Sequence, residues 1–200
     1  MVELQHYFSD AEPGQKVTAV PGAGTNVPLW ILGSSLYGAE LAAMLGLPYA
    51  FASHFAPAQM MHAIAMYRER FKPSEQLSEP YVMLGFNVCA AETQEEATFL
   101  RSSSLQAFIN LRSGTPGQLQ PPVEDFESRM SPQEQAMLGQ IGRCSSVGTP
   151  ERVTREIANF IEQTGANELM LVSSIYDHKK RLRSIEIAAD AGRQINLEDS

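Results

Sequence analysis

The chain has 200 residues, 44% of them hydrophobic and 19% charged, which is enough apolar material to bury one sizeable core and argues for a single compact domain over residues 1–200. A formal net charge of -8 gives no basic field for a nucleic-acid backbone, no apolar run reaches the ~20 residues of a membrane span, and the opening MVELQHYFSD lacks the charged start and apolar body of a secretory signal. Cys89 and Cys144 are far apart and in no metal-ligand spacing, so two reduced thiols in a soluble cytoplasmic protein are expected, with no metal site and no nucleic-acid or membrane partner.

VPLWILG (27–33) follows the turn-forming PGAGTN and reads as a buried strand. Ser34 to Leu45 then shows Leu36, Ala39, Leu41, Ala42 and Leu45 near helical spacing, with GLP as its stop signal. YAFASHF (49–55) repeats the strand pattern and Ala58 to Phe71 the helix pattern, with Met61, Ile64, Ala65 and Phe71 expected on its inner side. YVMLGFNVCAA (81–91) is a third strand, and Thr93 with Glu96 three positions on is the capping-box signature of a helix start. The Gly-, Pro- and acid-rich stretch 112–130 interrupts the rhythm as an irregular insertion, extended to about residue 142 by a helix that Ser131-Pro132 opens. Thr149-Pro150 opens another helix in the same way, ELMLVSSIY (168–176) is the fourth strand, and KKRLRSIEIAADA closes the chain as a helix. Four strand–helix units are legible, and no fifth.

Alternating helices and near-continuous apolar strands imply an α/β protein with a parallel sheet covered by helices, and both a doubly wound sheet and a (β/α)8 barrel fit that order. In either architecture ligands bind at the carboxyl ends of the strands, where Gly33-Ser34-Ser35, His54-Phe55 and Ser173-Ser174 fall. A helix N-terminus preceded by Gly-Ser-Ser offers unpaired N–H groups, the positive end of the helix dipole and two hydroxyls, a set that suits a phosphate. The plainer reading is a serine N-cap. GSSLYG is not a dinucleotide fingerprint, and no P-loop lysine follows it. For His54 the choice lies between a ring facing the mouth of the sheet and an ordinary hydrogen-bonded histidine. For His178 it lies between a ligand contact and a capping or surface role, while Asp177 and Arg181 read as an i,i+4 pair. Met60, Met61 and Met66 read as packing residues.

The segments WILGSSLYGAELAAMLGLPYAFASHFAP, PYVMLGFNVCAAET, CSSVGTPERV and ELMLVSSIYDHKKRLRS together resemble the luciferase-like monooxygenase family, flavin-dependent barrel enzymes related to bacterial luciferase. The likeness extends only to the later half of the family's (β/α)8 barrel, with VPLWILG at its fifth strand, so the expected fold is four βα units of a TIM-barrel-like architecture, a partial barrel. It implies reduced FMN as cofactor or co-substrate, dioxygen as oxidant and a small organic substrate. It also implies a phosphate seat at Gly33 in which Ser34 offers backbone contact, Ser35 its hydroxyl and Gly38 a backbone N–H. Luciferase has an acidic residue where this chain has Ser34. The family's catalytic histidine and most ring contacts lie in the earlier half, so no catalytic residue is assigned here. An FMN-dependent oxidoreductase, incomplete as this chain, is the leading expectation. A non-catalytic flavin- or phosphate-binding half-barrel, or a truncated product, is the alternative, and the open strand edges of a half-barrel predict a homodimer.

Overall fold

The computed structural model describes residues 1–198. A short helix α1 (Val2–Phe8) leads through a long loop to β1 (Ile31–Gly33), α2 (Leu36–Leu45), β2 (Tyr49–Phe51), α3 (Met60–Arg70), β3 (Val82–Ala90) and α4 (Gln94–Arg112). After the insertion come α5 (Pro132–Ile141), β4 (Ser145–Gly148), α6 (Pro150–Thr164), β5 (Glu168–Val172) and α7 (His178–Glu198). All strand pairs are parallel, in the order β1-β2-β3-β4 with β5 also on β3. The α/β partial-barrel expectation holds, as an open sheet rather than a closed one.

β3 organises the sheet because its nine residues are long enough to pair with β2 over Val82–Leu84, with β5 over Met83–Asn87 and with β4 over Asn87–Ala90. Strand side chains alternate between faces. Leu84, Phe86 and Val88 therefore join Tyr49 and Phe51 in one core beneath the helices, packed on Ala39, Ala42, Ile64, Val153 and Phe160. The opposite face carries Leu32, Met83, Gly85, Asn87 and Met170. Leu32 is 72% exposed and Met170 52%. The helices thus cover one face of the sheet and leave much of the other open.

Several elements differ from their sequence-based outlines. β1 and β2 are three residues each rather than seven, because a strand lasts only as far as a neighbour pairs with it, and Leu29 instead bonds through both backbone groups to the Gln76 side chain. The buried stripe of α3 is Met60, Ala63, Ile64 and Tyr67, at helical spacing, while Met61 and Ala65 face solvent, and a 3-10 turn at Pro57–Gln59 precedes the helix. To the four legible units the structure adds β4, whose Ser-Ser-Val-Gly has no apolar run to betray it. Thr93 caps α4 through the Glu96 N–H, but the Glu96 carboxylate binds Lys180 rather than closing a box. The full reciprocal box sits at Ser131 and Glu134. The insertion runs alongside α4, pinned by Val123 N–H to Ser102 Oγ at 2.8 Å and Gln106 Nε2 to the Pro121 carbonyl at 3.0 Å.

One buried hydroxyl ties three elements together: Tyr67 Oη donates to the Leu47 carbonyl at 2.9 Å and accepts the Tyr81 N–H at 3.2 Å. Tyr67→Phe strands both backbone groups in the core and is expected to cost about 1–3 kcal/mol in urea unfolding at unchanged m-value. A change within ~0.5 kcal/mol would mean those groups find other partners.

Candidate functional site

The sequence places a glycine and two serines where β1 hands over to α2, and the structure shows how they are used. Ser35 is the N-cap of α2 in extended conformation (φ -140°, ψ 165°), yet its hydroxyl makes no capping bond to its own helix. Its carbonyl accepts the Tyr49 hydroxyl at 3.2 Å, which fixes the cap's orientation. Ser34 and Ser35 are exposed, Gly38 is buried, and the first turn of α2 carries no acidic residue. A Cβ on Gly38 would lie 3.5 Å from the Tyr49 ring and 3.7 Å from Gly33 Cα, so a methyl would fit and glycine keeps the junction open. With the serine hydroxyl uncommitted, the N–H groups of the first turn stay available to an acceptor beyond the helix, a donor set that fits a phosphate.

His54 lies apart from this group, three residues past the end of β2, and lines a cavity of about 530 Å³ between that strand end, β3, α4 and β5. Its ring rests on Gly85 of β3, where any Cβ would come within 1.9 Å of Nδ1, so only glycine leaves the ring its place. Nδ1 is buried without a hydrogen-bond partner, and burial lowers the ring's pKa from its ordinary 6.5. The His54 carbonyl accepts Asn87 Nδ2 at 2.8 Å, which holds the loop against the sheet. This is not a fully hydrogen-bonded histidine. Burial favours its neutral form, and Nδ1 is packed against Gly85 with no hydrogen-bond partner.

Ser173 and Ser174, expected at a strand's carboxyl end, line the same cavity as His54 and Phe55, and residues with no site role expected from sequence complete it. Asn87 comes from β3, Arg101 and Phe108 from α4, Leu119 and Leu138 from the insertion. Ser173, Ser174 and Arg181 come from the β5–α7 junction, and the first of these hydroxyls bonds Ser184 Oγ at 3.2 Å. Arg101 gave no signal because it sits mid-helix among serines with no motif around it. Arg181 was expected to pair with Asp177, but the Asp177 carboxylate instead accepts the Lys180 N–H as the cap of α7, and the Arg181 guanidinium reaches His178 Nδ1 at 2.9 Å. Cys89 also lines the cavity but is inert, since burial pushes its thiol up to about 12. No group of three or more His, Cys, Asp or Glu side chains suited to a metal occurs among the described residues.

The sequence profile of the luciferase-like monooxygenase family matches residues 4–168. A protein of Escherichia coli (strain K12), described as a luciferase-like monooxygenase, is 43% identical over 195 residues, which cover 98% of this chain and 58% of that protein. The chain therefore spans little more than half the length of this curated relative. Among solved structures, that of apo-MsnO8 superposes with a TM-score of 0.72 at 30% identity, covering 90% of this chain and 55% of that one. A more distant structure shares the fold at a TM-score of 0.50 and 18% identity, covering 80% of this chain and 46% of its own. It is the oxygenating constituent of 3,6-diketocamphane monooxygenase from Pseudomonas putida, a type II Baeyer–Villiger monooxygenase in complex with FMN.

Proposed function

Because the chain belongs to the luciferase-like monooxygenase family, we propose that it supplies the cofactor-phosphate seat and one wall of the reaction chamber in an FMN-dependent oxidoreductase acting on a small organic substrate. The observation that carries this reading is the Ser35 hydroxyl, held at a helix N-terminus and withheld from capping that helix. Ser34 offers backbone contact, the Ser35 hydroxyl and the α2 N–H groups, that of Gly38 among them, donate to the phosphate, and the helix dipole favours its charge. Reduced flavin, when bound, supplies the electrons that activate dioxygen. The chain's own part is to orient the cofactor and exclude water, with the uncharged His54 ring and the Asn87 amide as polar groups on the chamber wall. The open face bearing Leu32 and Met170 favours a second reading, a non-catalytic flavin- or phosphate-binding half-barrel. In either reading the setting is the cytoplasm, which suits the two buried free thiols.

Calorimetric titration with FMN tests the seat. Ser35→Ala is expected to weaken binding by about 1–3 kcal/mol, the range for a hydrogen bond to a charged group. Equal affinity of the variant and the parent would move the phosphate elsewhere. Turnover of this chain alone with reduced FMN and dioxygen is expected to be little or none even where FMN binds, and robust flavin-dependent oxidation would show that the chain carries the catalytic groups itself.

A further inference from the structure

The cavity beneath His54 has a charge pattern that the flavin seat does not explain. In a chain of net charge -8, the ionisable side chains of its lining among the described residues are, besides His54 and Cys89, two guanidiniums, Arg101 and Arg181, with no carboxylate among them. Arg101 and the Cys89 thiol line the same cavity, and the arginine's charge opposes the rise that burial imposes on that thiol. The nearest carboxylate to this charge, Glu127 from the insertion, touches Arg101 only at 3.4 Å and lies outside the lining. Phe55, Phe108, Leu119 and Leu138 also line it, so the cavity combines two cations with apolar side chains and with the neutral polar groups of Asn87 and several serines. A third cation, Arg112, lies over the Phe55 and Phe108 rings at 5.4 and 5.2 Å and braces that wall from behind. The Nδ1 atom of His54, packed against Gly85, is a buried polar atom without a partner.

We infer that this cavity receives the organic substrate, and that the substrate is an amphipathic acid: an apolar or aromatic body against Phe55, Phe108 and Leu119, and a single carboxylate head held by Arg101 and Arg181. Guanidinium presents two parallel N–H donors that match a planar carboxylate, and in a partly water-excluded cavity such a charge-assisted pair is far stronger than on the surface. The volume of about 530 Å³ is that of a small-molecule site. Leu119 and Leu138 come from the insertion, so the segment that breaks the strand–helix rhythm contributes to the specificity wall. The inference rests on the preceding proposal for the word substrate, but the site itself is tested without turnover.

The probes are 2-naphthoate and its neutral isostere 2-naphthamide, titrated calorimetrically into the full chain. Naphthoate is expected to bind at least about tenfold more tightly than the amide, Arg101→Gln and Arg181→Gln each to weaken naphthoate about tenfold while leaving the amide unchanged. Glu127→Gln, which removes the competing carboxylate from Arg101, is expected to tighten naphthoate a few-fold, an outcome that a merely structural role for these side chains would not produce. Equal binding of acid and amide, or arginine variants without effect on the acid, would overturn the inference. Competition between naphthoate and FMN would overturn it as well, by making the arginines the flavin-phosphate site. FMN that fails to bind while naphthoate remains arginine-dependent would defeat the flavin seat and leave the acid site standing.

Discussion

At micromolar concentration the chain is expected to elute as a dimer at twice its 22.0 kDa mass, and to dissociate and unfold together on dilution. The reason is the uncovered face of the sheet. Leu32 at 72% exposure and Met170 at 52% lie on strands whose other side, through Ile31, Leu169 and Leu171, packs on the core, and among the described residues β1 has a hydrogen-bonded strand neighbour only in β2. An open parallel edge beside an apolar face is an invitation to pairing that stable proteins cover. The insertion covers that face only where Leu119 and Leu138 line the cavity with Asn87 and Cys89, its anchors at Ser102 and Gln106 hold it along α4, and Leu32 and Met170 stay exposed. Burying one such side chain is worth about 1.5–3 kcal/mol, so Leu32→Glu is expected to weaken association about tenfold to a hundredfold. Size exclusion with light scattering decides this. A sharp monomer with cooperative unfolding independent of concentration would show that the face is stable in water.

The second large effect is on stability and lies far from the site. Gly46 ends α2 in the left-handed region at φ +62°, where its N–H and that of Leu47 close the helix onto the Ala43 and Ala42 carbonyls. A Cβ there would come 2.4 Å from the Lys72 carbonyl oxygen and 2.6 Å from Ser74 Cβ, and the first of these atoms is backbone that has no room to retreat. Ser74 Oγ also donates to the Gly46 carbonyl at 2.8 Å, so the turn is held from both sides. Gly46→Val combines a left-handed β-branched residue with that collision. It is expected to cost about 3 kcal/mol or more, or roughly 6–12 °C in Tm for a chain of this length. Gly117→Val, at a position with open space around it, is the control and should stay within about 0.5 kcal/mol. Similar losses for both would remove the backbone-clash explanation.

Local chemistry made the helices legible in the sequence. Thr93, Ser131 and Thr149 cap α4, α5 and α6 as read, and Gly46 and Gly165 end α2 and α6 with positive φ, because a cap is decided by groups within about four residues of each other. The same locality placed Gly33, Ser34, Ser35 and Gly38 at one strand-to-helix junction, and the parallel α/β architecture followed from the order of apolar and amphipathic runs. What tertiary structure decided is what depends on distant partners. β4 exists only because Ser145–Gly148 lies in register with Asn87–Ala90, and four residues with two serines carry no signal of that pairing. The uncommitted Ser35 hydroxyl, the His54 ring on Gly85 and the meeting of Phe55, Arg101, Leu119 and Arg181 in one cavity join residues far apart in the chain. Such a site is invisible to periodicity and spacing, since the sheet brings its residues together while composition records only that they are present.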